Sequence, residues 1–140
     1  MNISAIDRER RTFDAVPASA QTARKYVGEI LRSRAAPEPL IQDFQLVISE
    51  LVDNVIEHDD GSGLAVFYDF TDPQWWDIGV VGGKVRAKDP ITPPETWTIT
   101  GNEQASGRGL GIVRQLMDEI LTDMSNSQVS VRCRRRRPES

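Results

Sequence analysis

Residues 44–58 read FQLVISELVDNVIEH. Apolar side chains recur at Phe44, Val47, Ile48, Leu51, Val52, Val55 and Ile56, the spacing of a helix with one broad buried face. Neither Gly nor Pro interrupts the run, and at 100° per residue the apolar set covers roughly half of the helix circumference. Glu50, Asn54 and His58 fall four apart in one row along an edge of that arc, whereas Asp53 and Glu57 lie in the middle of the solvated face. A carboxylate, an amide and an imidazole bordering a core stand where the wall of a cleft would be. The alternative is an ordinary polar helix edge, with His58 favoured at the C-terminal end by the helix dipole.

Outward from this helix, Pro39 starts it after the break AAPEP. Before the break, Pro17 opens a helix carrying the stripe Ala20, Ala23, Tyr26, Val27, Ile30 and Leu31 and running to about Arg34. Residues 10–16 form a short first strand. After the turn DDGSG, the runs LAVFYDF (64–70) and WWDIGVV (75–81) are strands joined by TDPQ, a hairpin length. Trp75 and Trp76 then belong to sheet packing.

From Gly82 to Ser106 the chain carries Gly, Pro and Thr without a period, a long loop with a short strand over 97–100. Its Trp97 is a loop aromatic of the kind that serves binding. SGRGLGIVRQLMDEI follows as a helix, with Ile112, Val113, Leu116, Met117 and Ile120 as its stripe, and a last strand spans 128–133 with Cys133 as an inert filler. The element order β-α-α-β-β-loop-α-β predicts an α/β two-layer sandwich, helices on one face of a mixed, mostly antiparallel sheet.

The chain of 140 residues fits a single domain, 1–140. No apolar run reaches the ~20 residues that span a bilayer, the N-terminus lacks the apolar core of a signal peptide, and one cysteine suits a reducing compartment. A cytoplasmic protein with no membrane contact is expected. Arg132, Arg134, Arg135, Arg136 and Arg137 crowd the end; taking these five charges from the net −4 leaves −9, so the body is acidic and direct nucleic-acid contact is not expected. Residues 1–9 and 134–140 are expected as flexible ends.

Gly107-Arg108-Gly109-Leu110-Gly111 runs straight into the last helix. Alternating glycines bring backbone N–H groups close to a ligand, and a helix start suits phosphate oxygens, with Arg108 as an added charged donor. The bland alternative is a tight helix entry. No Lys-Ser or Lys-Thr pair follows, so this is not a Walker loop.

The E-x-x-x-N-x-x-x-H helix, a hairpin, a long loop and G-x-G-x-G opening another helix together resemble the GHKL ATPase superfamily, with its Bergerat, histidine-kinase-like ATPase fold. Within it, the short chain and GRGLGIVRQLMDE resemble the anti-sigma factor serine kinases of bacteria. The resemblance spans about Phe13 to Val131. It implies Asn54 as ligand of the Mg²⁺ that bridges ATP phosphates, and Glu50 as the carboxylate that orients or deprotonates the attacking hydroxyl. His58 would lie near the phosphates, Gly107, Gly109 and Gly111 with Arg108 and Leu110 would hold them, and residues 84–106 would form the lid. ATP and Mg²⁺ are the implied cofactors. A sigma factor and an anti-sigma-factor antagonist are the implied partners, and a homodimer is implied as well.

The family's D-x-G-x-G closes the second hairpin strand, its Asp accepting a hydrogen bond from adenine. With a strand over 75–81, Val81 holds the Asp position and Gly83 the first Gly; Asp77-Ile78-Gly79 comes too early. Loss of a hydrogen bond to a charged group, about 1.5–3 kcal/mol, weakens binding roughly 10- to 150-fold. Two functions follow: an Mg·ATP-dependent serine/threonine kinase that also sequesters a sigma factor, or a degenerate, non-catalytic binding module of the same fold. A histidine kinase's catalytic half is disfavoured, because the chain has no room for a phosphoacceptor helix pair.

Overall fold

The apolar stripes set out above call for helices backed onto a sheet. The computed structural model, which describes residues 7–58, 63–82, 107–125 and 128–138, has that arrangement. In chain order it contains β1 (Arg8–Phe13), α1 (Ala18–Ser33), α2 (Glu38–His58), β2 (Leu64–Asp69), β3 (Trp75–Gly82), α3 (Gly107–Leu116), β4 (Glu119–Ser125) and β5 (Gln128–Arg136). The five strands run in the order β1-β2-β3-β5-β4. All four pairings are antiparallel, so among the described residues the sheet is not mixed as the sequence suggested. No described helix is long and apolar enough to cross a membrane.

Alternation sorts the sheet into two faces. Leu64, Val66 and Tyr68 of β2, Trp76, Ile78 and Val80 of β3, and Val131 and Cys133 of β5 join the helices in one core. From α2, Phe44, Val47, Ile48 and Val52 enter it with no exposed surface. Tyr26 of α1 reaches β1 at the sheet's edge, its hydroxyl donating to Glu9 Oε1 at 2.8 Å. Burial and then this contact push the phenol pKa well above its ordinary range.

Two expectations about the C-terminal third are corrected. The helix over 106–120 stops at Leu116, and Glu119–Ser125 is strand β4. Ile120 fits the helical stripe and equally a strand alternation, and the run Ile-Leu-Thr prefers the latter. The Asp118 amide donates to the Arg134 carbonyl at 2.9 Å, and its carboxylate accepts from the Arg136 amide at 2.7 Å, which turns the chain into the sheet.

The arginine run, expected as a loose end from 134 on, lies in β5 up to Arg136, between β3 and β4. A strand in an antiparallel sheet can be apolar on one face and charged on the other. Here Val131 and Cys133 point into the core, while Arg132, Arg134 and Arg136 point to the outer face. Asp77 of β3, only 2% exposed, meets both Arg132 and Arg134 there.

The end of α1 carries a strained cap. The Ala36 amide donates to the Leu31 carbonyl and the Ala35 amide to the Arg32 carbonyl, both at 3.0 Å, a Schellman arrangement that forces Ala35 to φ 59°. A non-glycine residue there costs roughly 1–2 kcal/mol, partly offset by the greater unfolded-state entropy of glycine. Ala35→Gly is therefore expected to raise stability by about 0.5–1 kcal/mol in a denaturant melt, whereas Ala36→Gly, at a buried position, should lower it. Cys133 has no exposed surface, and burial pushes its thiol pKa well above the ordinary range. Under native conditions at pH 8 a disulfide reagent should label it only as fast as the domain unfolds; rapid native labelling would contradict its placement.

Candidate functional site

The apolar arc of α2 fixes what its edges can present. With Leu51 1% exposed and Val55 and Ile56 partly buried against the core, the Glu50–Asn54 edge borders the core. Asn54 is 8% exposed and Glu50 half-buried, whereas Asp53 and Glu57 are exposed, as the helical row predicted. His58 ends the helix. Its side chain lies outside the described residues, as do Gly83 and the stretch 84–106 with the expected lid, Trp97 and the strand over 97–100.

α3 packs against α2, and Val113 and Met117 join the core beside it. Arg135 ties the two helices together. Its Nη1 donates to Asp43 Oδ2 on α2 at 2.9 Å and to the Leu116 carbonyl at the end of α3 at 3.0 Å. The tail of α3 is thereby held beside residue 43 of α2.

Gly107, Gly109 and Gly111 are not a turn ahead of the helix but its first residues. The first four amides of a helix lack intrahelical acceptors, so those of residues 107–110 are the available donors, at the positive end of the helix dipole. Without Cβ atoms at 107 and 109, that backbone can be approached closely. The side chains of Arg108 and Leu110 lie outside the described residues. Chemically, α2 offers oxygen donors along the edge of its apolar arc and α3 offers free amides at its start, groups that suit a phosphate with a hard cation.

The base side differs from the sequence reading. Val80 joins the core with α2, so Val81 points to the opposite, outer face, paired with Ala65 and Ser130. Asp77 shares that outer face and is held by Arg132 and Arg134, which agrees with setting Asp77 aside. The residue at the end of β3 that faces α2 is Gly82, where an added Cβ would stand 2.6 Å from Val55 Cγ2. Val55 occupies the space a side chain would need, so neither Val81 nor Gly82 presents a carboxylate to the helix face. The Arg135 pin was missed in the sequence; its signal was an arginine out of phase with Arg132, Arg134 and Arg136 in an alternating strand.

The model of the histidine kinase-like ATPase domain family matches residues 13–135. Among solved structures, the chain is similar to the RsbU and RsbW domains of Rv1364c from Mycobacterium tuberculosis. That match has 20% identity and a TM-score of 0.67, covering 94% of this chain and 33% of that one. The chain thus spans a third of the length of that relative. It is also similar to a chain of the SiaB-SiaC complex from Pseudomonas aeruginosa, at 13% identity and a TM-score of 0.63, covering 90% and 88% of the two chains. At these identities the likeness is one of fold. A comparison with curated proteins finds no match.

The closeness of β3 to α2 is open to a direct check. Gly82→Ala should lower stability by about 1–3 kcal/mol through overpacking against Val55. Val55→Ala in the same chain should recover a good part of that loss. Additive costs in a double-mutant cycle would show that the two residues do not touch.

Proposed function

The chain belongs to the histidine kinase-like ATPase domain family, and from that premise we propose that it is an Mg²⁺- and ATP-dependent protein serine/threonine kinase of the anti-sigma-factor type. Its substrate would be an anti-sigma-factor antagonist, and the same chain, as a homodimer, would hold a sigma factor. The observation that carries the reading is the almost buried Asn54 on α2, a helix packed against the one whose glycine-led start bears free amides.

The donors suit the implied cation. Mg²⁺ prefers oxygen ligands and keeps several waters, so one amide oxygen plus substrate phosphates suffices. Among the described residues no group of three or more His, Cys, Asp or Glu could hold a metal. When bound, the ion would neutralise charge on the phosphates. Asn54 would orient it through its side-chain oxygen. The amides of residues 107–110, with Arg108 among them and His58 one turn beyond Asn54, would hold phosphate oxygens. Glu50, one turn before Asn54, would accept the proton of the incoming serine or threonine hydroxyl. Phosphoryl transfer asks mainly for positioning and charge stabilisation, which this set can supply. The complex in which SiaB was solved also favours a protein partner for a chain of this fold.

A second reading is favoured by one observation, the blocked position at Gly82. Without a carboxylate for the base, the chain could be a regulatory binding module with weak nucleotide affinity or none. Titration calorimetry with Mg·ATP, followed by phosphate transfer to a cognate antagonist, separates the two.

For the kinase, Asn54→Ala should abolish Mg²⁺-dependent binding. Glu50→Ala should retain binding yet slow transfer about 10²–10⁴-fold. Val81→Asp should leave affinity unchanged, because its carboxylate would lie on the outer sheet face. No binding heat combined with tight antagonist binding would establish the module instead.

A further inference from the structure

The sheet's outer face is not covered by any described element, and its surface is unusual for a chain of net charge −4. Along β5, Arg132, Arg134 and Arg136 project from it at alternate positions, roughly 7 Å apart. Asp77 neutralises part of this charge by meeting Arg132 and Arg134. Arg136 instead lies over the Trp75 ring, 4.5 Å from its centroid, with Arg134 at 5.0 Å from the same ring. Stacking holds a guanidinium flat while leaving its in-plane N–H groups free to donate. Across the sheet, exposed Arg10 stands in the row Arg10, Phe67, Gly79, Arg132, Leu121. Leu121 is 41% exposed. Beside Phe67, a hollow of ≈ 290 Å³ opens between Arg8, Arg10, Asp69 and Arg132. Among the described residues neither Arg10 nor Arg136 has a carboxylate within ion-pair distance.

We propose that this face is a docking surface for an extended acidic segment of a partner protein, one that presents carboxylates at alternate positions. An extended segment laid obliquely across the sheet reaches from Arg136 to Arg10, and carboxylates at alternate positions bring one to each of these guanidiniums. Phe67 and Leu121 supply apolar contact between the charges. Other occupants fit less well. A small anion could not bridge Arg10 and Arg136, which stand three strand spacings apart and four residues apart along the strand, about 20 Å. A two-fold contact with a second copy would set the unpaired arginines against their own kind. The surface lies on the opposite side of the sheet from Asn54 and α3, so it stands or falls separately from the kinase reading.

The test uses the full chain and a fluorescein-labelled peptide of about ten residues in which glutamate and threonine alternate, ~33 Å when extended. Anisotropy is read at roughly 0.15 M salt, where distant charges are screened. Saturable binding is expected, with none for the peptide carrying glutamine in place of glutamate. Arg10→Gln and Arg136→Gln are each expected to weaken it roughly tenfold. Both residues are exposed, so the melting temperature should not move. Any of four results would overturn the proposal: no saturation at millimolar peptide, equal binding by the double variant, displacement by an oligonucleotide of equal charge at lower concentration, or sedimentation showing a dimer that Arg136→Gln dissolves.

Discussion

Everything in this domain leans on the burial of α2. Its apolar arc packs against α1, α3 and β3 at once, and six of its side chains, Ile41, Phe44, Val47, Ile48, Leu51 and Val52, are at most 1% exposed. Fully burying such side chains contributes about 1.5–3 kcal/mol each relative to exposure. That packing leaves α2 no freedom to rotate, and so it fixes which residues sit at the arc's edge. Asn54 is thereby held at the edge of the core, a position that a solvated helix could not define.

A second constraint organises the sheet. β5 is central, yet it carries four arginines between residues 132 and 136. Three face outward, where Asp77 and the Trp75 ring receive them, and Arg135 faces the helices, where Asp43 and the Leu116 carbonyl do. A buried Asp77 without these partners would be costly, and arginines crowded on one strand without Asp77 would repel one another. The pairing is a mutual requirement more than a source of net stability.

What could be read in the sequence follows from how local each signal was. The period of residues 44–58 has one interpretation, so α2 and the row Glu50, Asn54 fell where expected. Ile120 satisfied two periods at once, and only pairing with β5 decides for the strand. The arginines were judged by composition and position near an end, although Val131 and Cys133 alternating with Arg132 and Arg134 already spelled a half-buried strand. For Val81, the pattern was laid on the strand without knowledge of which face each residue takes, and neighbours along a strand face opposite sides. Gly82 could not be understood without its neighbour, since nothing local says that Val55 stands against it.

One feature of α3 has a thermodynamic side. The helix is clamped at its tail by Arg135 and has glycine at three of its first five positions. Each glycine disfavours winding by about 0.8–1 kcal/mol relative to alanine. Such a helix melts from its head, and a phosphate bound there, as proposed, would have to supply the free energy to wind it. Affinity at this end would then be coupled to a local order–disorder equilibrium, eroding on heating more steeply than contacts with a preformed surface. Alanines in the same positions would stiffen the head while placing methyl groups against any such phosphate.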